Sequence, residues 1–115
     1  MSTHDQLIQP LQLGNLTLPN RVVMTTVKLD YGNKKGEANQ RHIAFYRRRA
    51  EGGIGLMTTE PMYVKLNGRE LPTQLGIHSD ELISGLRQLT EAVHAAGGRI
   101  MAHINHASKN PNSSC

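Results

Sequence analysis

Apolar residues gather in three short runs, residues 21–27, 54–60 and 99–106, each rich in β-compatible side chains and each ending in polar groups. Those ends read Thr25, Thr26 and Lys28, then Thr58, Thr59 and Glu60, then His103, Asn105 and His106. Between the runs the apolar period changes. Ile43, Tyr46 and Ala50 recur at helical spacing, as do Leu82, Leu86, Leu89, Val93 and Ala96. Asn39 and Ser79 are good N-caps, Asp80 and Glu81 suit a positive first turn, and Gly52-Gly53 and Gly97-Gly98 are helix stops. Strand, polar tip, loop, helix and next strand is the pattern of an α/β fold with parallel strands. In such folds chemistry gathers at the carboxyl ends of the strands.

Residues 10–19 alternate around Gly14-Asn15 and predict a hairpin closed by a two-residue turn. The first principal strand is expected over 22–27, and a helix from the Asn39 cap to about Glu51. Residues 61–78, with Gly68, Pro72 and Gly76, predict a connection longer than usual, which favours a binding or lid role. Consecutive units of this kind predict adjacent parallel strands in sequence order with both long helices on one side. The chain ends just after its third strand, so the repeat looks unfinished. The expectation is one incomplete domain over 1–115 with a loop-like tail at 108–115. Its open strand edge would favour oligomers or association with other chains.

The 37% hydrophobic and 3% aromatic content is lean for a sheet covered on both faces. No segment approaches the roughly 18 apolar residues of a membrane span. The first nine residues lack a basic flank and an apolar signal core, so a cytoplasmic protein is the default expectation. Cys115 is the only cysteine and excludes an intrachain disulfide. The net charge of +4 has its most visible source in Arg47-Arg48-Arg49, with Arg41 on the same predicted helix. With no aromatic residues interleaved to stack on bases, this reads as a solvated helix face and no nucleic-acid partner is expected. His103 and His106, three apart on a strand, face opposite sides and would not converge on a metal ion, so none is expected. Glu60 has no partner carboxylate in view and reads as a hydrogen-bonded structural residue.

The run from Leu7 to Met24, centred on Gly14-Asn15-Leu16-Thr17-Leu18-Pro19-Asn20-Arg21, resembles the opening of the old yellow enzyme family of FMN-dependent, NAD(P)H-using oxidoreductases. The likeness continues through His42-Ile43-Ala44-Phe45-Tyr46, Gly52-Gly53-Ile54-Gly55-Leu56, His94-Ala95-Ala96-Gly97-Gly98 and His103-Ile104-Asn105-His106-Ala107. The resemblance implies a (β/α)8 TIM barrel, here an N-terminal hairpin and about three βα units, with FMN on its carboxyl-terminal mouth.

For single positions the resemblance implies flavin contacts from Thr25 and Thr26 at the end of strand one. Lys28 would stand beside the flavin ring, Pro61 would follow the strand-two glutamate, and His103 takes the place of a glutamine on the flavin pyrimidine edge. His106 would bind substrate. Ser108 and Lys109 depart from the family's usual glycine and arginine. The activity implied is hydride transfer from NAD(P)H to FMN and on to a small activated alkene, an enone or dienoyl thioester. The alternative is a catalytically inactive fragment that acts, if at all, by association.

Overall fold

The structure, a computed structural model, describes residues 3–107. A five-residue helix α1, Thr3–Leu7, precedes the hairpin and was not foreshadowed by the sequence pattern. Strands β1 (Leu11–Leu13) and β2 (Leu16–Leu18) pair antiparallel, as expected. Their turn has positive φ at Gly14 (57°) but not at Asn15, the arrangement of a type II′ turn. Asn20 then fixes where the principal sheet begins. Its side chain accepts from the Val22 amide at 3.0 Å and donates to the Gly53 carbonyl at 2.6 Å. Gly55 passes so close that a Cβ there would lie 2.5 Å from the Asn20 carbonyl oxygen.

Strand β3 (Val23–Met24), β4 (Leu56–Tyr63) and β5 (Ile100–Asn105) form one sheet, parallel and in sequence order. Helix α2 (Gln40–Glu51) starts at Asn39, whose side chain accepts from the Arg41 and His42 amides. Residues 80–82 form a 3₁₀ turn capped by Ser79, leading into α3 (Ile83–Ala95). Gly97, at φ 85°, closes α3 in a Schellman motif: the Gly98 amide bonds the Val93 carbonyl and the Gly97 amide bonds that of His94. The two helices pack on each other and on the sheet, and Ile43, Tyr46 and Ala50 meet Leu89, Val93 and Met57 in the core. None of the helices among the described residues is long and apolar enough to cross a membrane.

Two strand expectations need correction. Strand β3 is two residues long rather than spanning 22–27, and β4 runs through Pro61 to Tyr63 rather than stopping at Glu60. The second has a visible cause. The β4–β5 register shifts between Thr58 and Pro61, forming a bulge that lets a proline sit inside a strand. At the bulge, β4's main-chain groups turn to side chains: the Glu60 amide donates to Tyr46 Oη at 2.8 Å, and the Thr59 carbonyl accepts from Thr26 Oγ1 at 3.2 Å. The arginine face is exposed at Arg41, Arg47 and Arg48, as expected of a solvated helix face. The fold brings aromatic rings beneath it, with Arg41 4.0 Å above the Tyr31 ring and Arg49 3.8 Å above that of Phe45. The tail at 108–115 lies outside the described residues.

Candidate functional site

The bulge gathers most of the polar chemistry at the strand ends. Thr26, just beyond β3, is half-buried and places its hydroxyl 2.7 Å from His103 Nδ1. His103 stands opposite Pro61 in the β4–β5 register, and its amide donates to Thr59 Oγ1 at 3.0 Å. Pro61 is buried, and its carbonyl accepts from Gln74 Nε2 at 2.7 Å. Gln74, 3% exposed, turns its oxygen to the Glu70 and Leu71 amides, so one side chain holds both the bulge and the long loop. Tyr46 supports the bulge from below. Burial pushes its phenol up to about 12, which keeps it protonated while its oxygen accepts from Glu60.

Lys28 and His106 lie apart from this group, against the long loop. Lys28 forms an ion pair with Glu70. The exposed His106 ring covers Gly68, where a Cβ would fall 2.5 Å from the ring, and the Ala107 amide bonds the Gly68 carbonyl at 2.8 Å. The same loop is tied to the segment after β3 by a Thr73–Asp30 side-chain bond and by Gly32 to the Thr73 carbonyl at 3.1 Å. Buried Arg69 adds a bond to the Lys34 carbonyl at 3.0 Å. Nearby, burial raises the Tyr63 phenol, with Arg69 opposing the rise. Thr25 is exposed at the strand-one tip.

The strand ends thus bring together Thr26, Pro61 and His103, while Lys28 and His106 flank them along the loop. Among the described residues no group of three or more His, Cys, Asp or Glu could hold a metal ion. Glu60 faces inward: its Oε1 lies 3.2 Å from His42 Nε2, both side chains almost wholly buried, without the alignment of a hydrogen bond. His42 Nδ1 accepts from the Asn39 amide at 3.0 Å, so the neutral ring carries its proton on Nε2, toward Glu60. Gln74, Glu70 and the supporting role of Tyr46 are not marked by the sequence pattern. Pro61 was the available signal, because a proline inside a strand demands a bulge and a bulge demands other partners.

The neighbours in known proteins are consistent. An NADH oxidase of Thermoanaerobacter brockii is 34% identical over 110 residues, which is 95% of this chain and 17% of that protein. An NADPH dehydrogenase of Bacillus subtilis is 36% identical over 105 residues, 90% of this chain and 31% of the relative. The chain therefore spans under a third of either one's length. Among solved structures, the old yellow enzyme of Trypanosoma cruzi matches with a TM-score of 0.82 at 32% identity, covering 92% of this chain and 28% of that one. Morphinone reductase in complex with tetrahydroNAD matches with a TM-score of 0.81 at 32% identity, covering 93% and 30%. The three parallel strands and two helices are thus part of the TIM barrel of those enzymes. A family model matches residues 6–114, and with it the chain belongs to the NADH:flavin oxidoreductase / NADH oxidase family.

Proposed function

We propose that this chain is the N-terminal segment of a single FMN-binding barrel domain, and that the strand-end cluster supplies one side of the flavin site. The observation that carries this reading is the contact between Thr26 and His103, from two strands apart in the sheet, at the carboxyl ends where barrel enzymes do their chemistry. Thr25, Thr26, Lys28, Pro61 and His103 would hold the cofactor. Their polar groups suit its polar edge: the His103 imidazole, the exposed Thr25 hydroxyl and the Lys28 ammonium, which Glu70 pairs in this chain. The hydroxyl of Thr26 and the carbonyl of Pro61 are already engaged within the protein, so these two shape the site rather than reach into it. His106 would face substrate.

When bound, FMN supplies hydride transfer between NAD(P)H and an activated alkene such as an enone or dienoyl thioester. The chain's own residues bind and orient the ring edge. The activity would be that of an ene-reductase, with the remaining contacts provided by barrel strands outside this chain. A second reading, association with another chain in place of catalysis, draws on β5, where Met101 is 48% and Ile104 62% exposed on a strand paired only with β4 among the described residues.

A graft tests the primary reading. Residues 6–107 would replace the matching segment of the Bacillus subtilis NADPH dehydrogenase, and flavin content and NADPH-dependent enone reduction would be measured. The expected result is a yellow, NADPH-reducible protein. A folded, colourless graft would contradict the proposal.

A further inference from the structure

One hydroxyl proton at the strand ends has two claimants. Thr26 Oγ1 lies 3.2 Å from the Thr59 carbonyl and 2.7 Å from His103 Nδ1. The carbonyl can only accept, so its bond requires the hydroxyl proton. The contact with Nδ1 is then a hydrogen bond only if Nδ1 carries its own proton and donates it to Oγ1. The bulge explains why the Thr59 carbonyl is there to be served: the His103 amide goes to Thr59 Oγ1 at 3.0 Å instead of a carbonyl of the ladder. Thr59 is 5% exposed, and an unmade bond at this depth would leave its carbonyl without water to replace the partner. Thr59 Oγ1 in turn spends its own proton on the Glu60 carbonyl at 2.9 Å or on the Met62 sulfur, so it accepts from the His103 amide without conflict.

We propose that Thr26 is a positioning residue that locks neutral His103 as the Nδ1–H tautomer. Main chain and ring of His103 are both anchored, the first by Thr59 and the second by Thr26, and the ring's other nitrogen is left as a bare lone pair. Neutral His103 therefore recognises a ligand N–H and offers no donor of its own from Nε2. This last step rests on the flavin reading. On the pyrimidine edge of a flavin the matching group is the imide N3–H, since N1 and the two carbonyl oxygens are acceptors.

The tautomer is read without any flavin. In the ¹⁵N-labelled 115-residue chain, at a pH where imidazoles are neutral, long-range ¹H–¹⁵N spectra should show protonated Nδ1 and unprotonated Nε2 for His103. Thr26→Ser should keep that pattern, and Thr26→Val should invert or average it. A protonated Nε2 in the parent chain overturns the proposal, as does an unchanged pattern in Thr26→Val; the parent spectrum decides the matter even if the valine variant does not fold. In the grafted enzyme described above, N3-methyl-FMN should bind roughly 5- to 10-fold more weakly than FMN, the worth of one hydrogen bond. Equal binding of the two flavins would overturn N3–H recognition. Failure to bind either would sink the flavin reading and leave the tautomer to the spectra of the free chain.

Discussion

On the helix side of the sheet, Met57 meets Ile43, Ala50, Leu89 and Val93 through apolar contact. At the strand ends, Thr26, Thr59 and His103 meet through hydrogen bonds at the register shift, and Gln74 holds the Pro61 carbonyl beside them. The first region tolerates any residues of suitable size and period. The second depends on particular atoms, because each buried main-chain group freed by the bulge needs a named partner. The contrast teaches where function can be written in such a chain. A regular ladder satisfies itself and leaves its side chains uncommitted, whereas the bulge commits Thr26, Tyr46 and Gln74 to support and turns His103 into the fixed group.

Substitutions can break this comparison, and the largest effect belongs to the apolar side. Met57→Ala, at a wholly buried position, should cost about 2–5 kcal/mol, read from the denaturant midpoint. A smaller cost would mean that the core is looser than its contacts imply. Tyr46→Phe should cost about 1–3 kcal/mol by orphaning the Glu60 amide. It also carries a pH signature. The native phenol titrates at about 12 against 10.0 for the free group, so the folded state keeps a proton that the unfolded chain loses. Stability from this group is complete below pH 10 and falls as pH rises toward 12. Denaturant midpoints measured across that window should fall less steeply in Tyr46→Phe than in the parent.

Asn39→Ala removes the α2 cap and should cost about 1 kcal/mol. Lys28→Ala should change stability least, by at most about 1 kcal/mol, because the Lys28–Glu70 pair is solvent-exposed on the lysine side. A larger loss there would show that the long loop is fastened to the strand-end segment mainly by charge. The four results together order the two regions by how each is held.

Much of the fold was legible in the sequence because it is periodic or punctuated. The Gly14 turn, the Asn39 cap, the Gly97 stop and the Leu89–Val93 stripe each follow from local rules, and each appears where those rules put it, whereas Ser79 caps a 3₁₀ turn ahead of α3 rather than α3 itself. The strand ends were less legible. Pro61 falls at the start of the expected long connection, yet the bulge keeps it inside β4. The Thr26–His103 contact spans 77 residues and the Glu60–Tyr46 bond 14, and no local pattern announces either. Gln74 was hidden in a segment read only by its length. Its importance arises from three main-chain groups that the fold brings to one side chain.

In the proposed arrangement the strand ends, not the arginine-rich outer face of α2, meet the flavin. Titration of the ¹⁵N-labelled chain with FMN, followed by amide and imidazole chemical shifts, tests it most directly. Weak binding is expected, since the chain spans under a third of the curated relatives above. The shifts should concentrate at Thr25, Thr26, Lys28 and His103 and leave Arg41, Phe45 and Arg48 unmoved. Shifts confined to those α2 residues, or none at millimolar FMN, would contradict the account.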